Sequence, residues 1–391
     1  MNSSVMSTYK RLPVAFESGS GAWLIDQYGQ RYLDALSGLA VCGLGHAHAA
    51  VKQAVAHQAG QLLHTSNLYE IPLQERLARK LCDLSGLDRV FFGNSGAEAN
   101  EAAIKLCRKY AHQKGITEPV IVVMQGSFHG RTMATISATG NAKVRDGFSP
   151  LLAGFEHIPY DNIDALRELA DSDSQIVAVM LEPILGEGGI VIPTPGYLPS
   201  IAEICRQNDY LLVLDEIQTG MCRTGKWFAW QHGAVKPDIM TLAKSLGNGV
   251  PIGACLANEK ASQAMLPGSH GSTFGGNQLA SSAALAVIDF MLDNNLEQRA
   301  AVLGRDMLEQ FSGTLAGLAG VKDIRGAGLM IGIELHEDCT ELVELALAQH
   351  LLINVTVGNV VRLLPPLIIS EAEAEQIVDT VCGLIQKFLC G

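Results

Sequence analysis

The sequence predicts an α/β protein: a mostly parallel central sheet with helices on both faces, plus a smaller α+β domain assembled from the two termini. Three observations carry this. Between about Val51 and Cys255, short apolar runs rich in branched residues (RVFFG, PVIVVMQG, IVAVMLEP, LLVLDEI, DIMTLAK and PIGACLA) alternate with longer helical patterns, as expected of buried strands joined by helical crossovers. The first fifty residues differ: GAWLIDQYGQRYLDAL reads as alternating strands around a turn at Tyr28-Gly29. The last hundred differ again, with a helical stretch ending near Leu318, then VKDIRGAGLMIGIEL and VVRLLPPL, then a helix from Ser370 to Leu389 whose Ser/Glu start suits an N-cap. The expected division is residues 1–50 and 291–391 for the two parts of the small domain and 51–290 for the large one. No Pro-rich, Ser-rich or repeated tract marks a flexible linker.

With 391 residues, 48% hydrophobic and 17% charged, the chain can bury a substantial core. Its net charge of -12, spread along the sequence, repels phosphate backbones and anionic lipid. Small-molecule chemistry is therefore expected, without nucleic-acid or membrane partners. The nine cysteines are odd in number, scattered and without CxxC pairs, which argues against disulfide frameworks and zinc ribbons and for a reducing cytoplasm. The N-terminal MNSSVMSTYKRLPVAFESG lacks a cleavable apolar core. No apolar run reaches the roughly 18 residues a membrane span needs.

In sheets of this kind ligands sit beyond the carboxyl ends of the strands. There the sequence places NSGAEAN, GSFHGRT, EPILGEGG, DEIQTG and AKSLGNG, five loops that could share one crevice. Lys244 follows an apolar strand and opens a Gly-rich loop, a setting that desolvates the amine and favours its neutral, nucleophilic form. Taken alone, such a lysine equally suits snorkelling to solvent. Asp215 ends the apolar strand LLVLD, with Glu216 next to it, and an unpaired charge there is costly to bury. One of the two needs a cationic partner, either an arginine or a protonated ring nitrogen. Lys244 and Asp215 together are the two protein groups that pyridoxal chemistry requires, an amine for the Schiff base and a carboxylate for the ring nitrogen.

The remaining candidates surround that pair. At the strand-to-helix junction FFGNSGAEAN, free N–H groups of Ser95, Gly96 and Ala97 could cradle a phosphate, although Asn94 or Ser95 could instead only cap the helix. Phe128 and Arg131 offer an aromatic face and a guanidinium suited to a carboxylate. Ser272 and Thr273, between glycines, suit hydroxyl contacts to phosphate. Arg362 is a charge among apolar neighbours and requires a partner, for which Glu187 is a candidate. Three look-alikes fail. GMCRTGKW has Trp227 where a phosphate loop needs Ser or Thr. Thr241 of TLAK lies inside a strand and lacks the partner motifs of an acylating serine. His46 and His48 lack further metal ligands.

Read together, FFGNSGAEANEAAIKL, SFHGRT, SATG, EPILGEGG, LDEIQTGMCRTG, DIMTLAKSLGNGVPIGA, GSHGSTFGGN, RGAGLMIGIEL and GNVVRLLPPL resemble, in order and nearly end to end, the class III, fold type I pyridoxal-phosphate aminotransferases, and within them the acetylornithine group. The resemblance implies that Lys244 holds pyridoxal 5'-phosphate covalently, Asp215 pairs with its ring nitrogen, and Gln218 lies near its phenolic oxygen. It implies that Gly96 and Ala97 hold the phosphate with Ser95 nearby, that Phe128 stacks on the ring, and that Thr273 reaches the site of a neighbouring subunit. The latter makes the protein a homodimer with shared active sites. Arg131 would grip the substrate's α-carboxylate, and Glu187 with Arg362 would form a switch between N2-acetylornithine and glutamate or 2-oxoglutarate, in a step of arginine biosynthesis. Leu185, Cys222, Asn248 and the stretch at Cys42-Gly43 depart from the family pattern, whereas Leu39 fits the acetylornithine group rather than ornithine aminotransferases. Aminotransferases acting on succinylornithine, succinyl-diaminopimelate, ornithine or 4-aminobutyrate share the same catalytic groups. The Glu187/Arg362 pair speaks against an aminomutase.

Overall fold

The computed structural model describes residues 4–390. The N-terminal segment forms an antiparallel meander of β1 (Phe16–Ser20), β2 (Trp23–Asp26) and β3 (Arg31–Asp34). Gly29 makes the β2–β3 turn at φ +83, a backbone position that favours glycine. Seven strands then build the central sheet: β4 (Arg89–Gly93), β5 (Val120–Met124), β6 (Phe155–Ile158), β7 (Ile176–Leu181), β8 (Leu211–Asp215), β9 (Ile239–Leu242) and β10 (Gly253–Ala257). Their order is β4-β10-β9-β8-β7-β5-β6. Pairings from β6 through β9 are parallel, and β10 runs antiparallel to both of its neighbours.

The sheet is buried on both faces by alternation. On β5, Ile121 and Val123 face the core under helix Gly96–Gln113, while Val122 and Met124 face the opposite core with Leu166, Ile201 and Ile204. On β8 the same alternation sends Leu211 and Val213 one way and Leu212 and Leu214 the other. Strands this apolar on both sides end where a charge can emerge, and β8 ends on Asp215.

C-terminal to the large sheet, β11 (Val321–Ala327), β12 (Met330–Leu335), β13 (Leu351–Leu352), β14 (Asn354–Thr356) and β15 (Val360–Leu363) follow. Four of them form the sheet β11-β12-β15-β14. β13 instead pairs parallel with β3, so the small domain is joined from both chain ends. The closing helix runs Glu371–Cys390, and Ser370 caps it reciprocally: its Oγ accepts from the Glu373 N–H at 3.2 Å while Glu373 accepts from the Ser370 N–H at 2.8 Å. Residues 50/51 and 290/291, where the domains were expected to divide, fall inside helices Ala49–Ala59 and Gln278–Asp293. We propose that the division runs at the ends of those helices.

Candidate active site

The loops at the carboxyl ends of the strands enclose a cavity of about 380 Å³ whose wall includes Ser95, Gly96, Ala97, Phe128, Arg131, Glu187, Asp215, Gln218 and Lys244. Five loops separated by up to 150 positions in the chain thus meet at one place, as the parallel topology requires. Ser272 and Thr273 are not part of this wall.

Each side chain arrives by a local reason. The N-terminus of helix Gly96–Gln113 points at the cavity, and Ser95 is its N-cap, accepting from the Glu98 N–H at 3.2 Å. Capping uses the Ser95 oxygen as an acceptor and leaves its O–H free to donate. The N–H groups of Gly96 and Ala97 fall in the first turn, where no intrahelical acceptor exists. A Cβ at position 96 would come within 2.8 Å of Ile217 Cδ1, another wall residue, so a larger residue there would require the Ile217 side chain to shift. Asn94 Nδ2 donates to Ser272 Oγ at 3.1 Å, which ties the turn to the loop carrying Thr273, itself exposed.

Asp215 is 3% exposed and accepts three N–H bonds: from Asn100 Nδ2 at 2.8 Å, His129 Nδ1 at 2.7 Å and the Ile217 N–H at 3.1 Å. Its neighbour Glu216 has no cationic partner among the described residues. Its carboxylate accepts instead from the Ala229 and Trp230 N–H groups at 3.0 and 2.9 Å and from the Thr219 hydroxyl, while burial pushes its pKa up to about 7. The partner demanded by a buried charge is thus met for Glu216 by backbone amides, leaving Asp215 as the acid that faces the cavity.

Lys244 lies beyond β9 at φ +46, a left-handed backbone that turns its amine into the cavity. Burial holds its pKa below the ordinary lysine value, which favours the neutral amine. Arg131 stacks its guanidinium 5.7 Å from the Phe128 ring centroid. Glu182, which the motif EPILGEGG contained without being singled out, fixes that loop: its two oxygens accept from the Phe128 N–H at 2.9 Å and the Gly186 N–H at 3.0 Å. Burial, with Asp215 nearby, raises the Glu182 pKa to about 7.

The expected ion pair is present. Arg362 is fully buried and donates from Nη1 to Glu187 Oε1 at 2.7 Å, from Nε to Asn354 Oδ1 at 3.0 Å, and weakly to Gln218 Oε1 at 3.4 Å. Burial alone would raise the Glu187 pKa, but Arg362 outweighs it and holds the carboxyl below its ordinary value. Asn100, His129, Glu182 and Asn354 are polar residues around the site that motif reading did not single out. Asn100 carried one usable signal, an amide on the buried face of an amphipathic helix.

Pyridoxal 5'-phosphate fits these residues: unpaired N–H groups for a phosphate, a buried carboxylate for a protonated ring nitrogen, an aromatic face, and a desolvated amine for an aldehyde carbon. Fold and site together define a fold type I enzyme that transfers amino groups with this cofactor. Residues 5–385 match the model of the class-III aminotransferases, and the chain belongs to that family. It is 55% identical over 387 residues to the acetylornithine aminotransferase of Nitrosomonas europaea, covering 99% of this chain and 98% of that one. Among solved structures it resembles the ornithine aminotransferase of Toxoplasma gondii, described with pyridoxal phosphate at its active site (TM-score 0.95, 35% identity, 99% and 94% of the two chains). It also resembles the acetylornithine aminotransferase of Elizabethkingia anophelis (TM-score 0.88, 34% identity, 98% and 96%).

Proposed function

We propose that this enzyme transfers the δ-amino group of N2-acetylornithine to 2-oxoglutarate, giving N-acetylglutamate 5-semialdehyde and glutamate. The observation that carries the proposal is the Glu187–Arg362 pair, whose carboxylate lines the same cavity as Lys244 and Arg131. Arg362 is fully buried, and leaving its guanidinium without the carboxylate that pairs with it is costly. With an acylated ornithine bound, Glu187 supplies it; with glutamate or 2-oxoglutarate bound, the substrate's second carboxylate takes its place and Glu187 swings aside. One cavity then serves two chemically different substrates.

When bound, the cofactor supplies the carbonyl carbon that receives the amine and the electron-poor ring that accepts charge from the reacting carbon. The chain supplies the rest. Lys244 Nζ, whose pKa burial lowers, would carry the proton from the substrate's reacting carbon to the cofactor carbon that receives the amine, and carry one back the other way in the second half-reaction. Arg131 orients the α-carboxylate, and the N–H groups of Gly96 and Ala97 anchor the phosphate.

Nine cysteines without a disulfide support a reducing cytoplasm as the site of action. Thr273, exposed on its own chain, supports a homodimer in which it completes the phosphate site of the partner. The likeness to ornithine aminotransferases in three dimensions favours ornithine as the alternative donor. Leu39, where those enzymes tend to carry an aromatic ring, supports the acetylated donor.

Separate half-reactions test the switch. In Arg362→Gln, conversion of the holoenzyme by glutamate should slow by about 10²-fold, as expected for loss of a buried charged partner, while conversion by N2-acetylornithine changes little. Equal losses in both half-reactions would contradict a switch.

A further inference from the structure

His129 and Asn100 are 2% and 0% exposed, and both point their polar atoms at Asp215. Burying such groups is costly unless they are paired, so their pairing defines what they do. The amide of Asn100 has a forced orientation. One end lies 2.8 Å from the His129 carbonyl oxygen and 2.8 Å from Asp215 Oδ2, while the other lies 2.7 Å from the Thr241 hydroxyl. Only the amide nitrogen can serve two acceptors, so Asn100 Oδ1 accepts from Thr241. His129 Nδ1 lies 2.7 Å from the same Asp215 Oδ2. Because a carboxylate oxygen only accepts, Nδ1 carries the hydrogen. Nε2 of His129 has no partner among the described residues, so the bond to Asp215 is the one polar contact of the ring.

Asp215 Oδ2 is thereby filled by two N–H donors. Oδ1 takes one, the Ile217 N–H at 3.1 Å, and retains an acceptor site while Asp215 lines the cavity. Asn100 also sits one turn along the helix whose first N–H groups belong to Gly96 and Ala97. Phosphate anchor and carboxylate clamp therefore ride on a single rigid element.

Resting on the aminotransferase reading above, we propose that His129 and Asn100 are positioning residues: by filling Asp215 Oδ2 they fix the carboxylate plane and leave Oδ1 as the oxygen offered to the cofactor's ring N–H. Neither touches substrate. They act through Asp215.

The test uses two substitutions that separate the bond from packing. An asparagine side chain places its amide nitrogen where imidazole carries Nδ1, whereas glutamine reaches the Nε2 position and fills more of the volume. Apo forms of the wild type, His129→Asn and His129→Gln are titrated with pyridoxal 5'-phosphate and with its 1-deaza analogue, in which carbon replaces the ring nitrogen. His129→Gln should bind the cofactor about 10–100-fold more weakly and His129→Asn within about threefold of wild type, the range of one charge-assisted hydrogen bond. The analogue, with no ring N–H to present, should bind all three proteins alike. Equal losses in both variants, or an analogue weakened as much as the cofactor, would mean that His129 only packs, and the proposal falls. A wild type that binds neither molecule would overturn the cofactor assignment itself.

Discussion

Lys244 stands in a left-handed backbone conformation at φ +46, which costs a non-glycine residue about 1–3 kcal/mol and persists only where its surroundings over-determine it. Ser245, next to it, donates its hydroxyl to the Ala40 carbonyl at 2.7 Å and pins the segment. The strain aims an amine whose pKa burial lowers. Lys244→Ala should still bind the cofactor but lose turnover by at least about 10²–10⁴-fold, the contribution of a positioned proton-transfer group; steady-state rates near wild type would sink its role. Glu182→Gln makes a different prediction. One of the two N–H groups it accepts would then face an amide NH₂, so unfolding should become easier by about 1–3 kcal/mol, read from the denaturation midpoint. Lys244 and Asp215 were legible in the sequence because charges stand out at the ends of apolar strands. Glu216 was half-legible: its need for a partner was visible, but the backbone amides of Ala229 and Trp230 that meet it lie across a loop. Asn100, His129 and Glu182 resist reading for the same reason, since what each does depends on atoms far away in the chain.

At the scale of elements, strands buried on both faces were the most readable part. Six of the central strands match runs picked from the sequence, and the seventh, β6, escaped because Glu156 and His157 interrupt its apolar pattern at the sheet edge. The antiparallel direction of β10 was also hidden, as pattern carries no direction. Position 253 on that strand shows how closely it approaches the phosphate turn: a Cβ there would meet the Ser95 carbonyl oxygen at 2.1 Å. Backbone cannot yield as a side-chain tip does, so Gly253→Ala should destabilise by at least about 1–3 kcal/mol and weaken cofactor binding; an unchanged unfolding midpoint would show that the turn is free to move. Ser37, Gly38, Leu39 and Ala40 form one left-handed turn, with φ between +47 and +66, held by the Ser37 hydroxyl on the Leu364 carbonyl at 2.7 Å. No propensity scale anticipates such a turn, because the groups that hold it, the Leu364 carbonyl and the Ser245 hydroxyl, lie far away in the chain. Asn248 adopts φ +46 and uses its amide to bind the Leu44 N–H at 2.7 Å and the Gly45 carbonyl at 3.1 Å.

Across the whole molecule, buried titratable groups set the response to pH. Glu216 has its pKa raised by burial from 4.5 to about 7, so the folded state holds its proton more tightly than the unfolded chain. Its stabilising contribution is full below the unfolded value and is lost as pH rises through about 7. In Glu216→Gln, the fall of unfolding midpoint across that window should flatten even though overall stability drops; an unchanged slope would assign the titration elsewhere. His46 acts over a higher range. Burial would lower its pKa, but the 2.7 Å contact with Asp34 and the neighbouring Cys42 bring it up to about 9, so its contribution is intact below 6.5 and lost through about pH 9. The class of reaction rests on the site, whereas the donor rests on Arg131, Glu187, Arg362, Leu39 and the relatives. The most direct measurement is therefore kcat/KM for N2-acetylornithine, N2-succinylornithine, ornithine and 4-aminobutyrate, each with 2-oxoglutarate as acceptor. The acetylated donor should exceed ornithine and 4-aminobutyrate by at least about tenfold, or about 1.4 kcal/mol in transition-state binding. Preference for ornithine or 4-aminobutyrate would contradict the assignment.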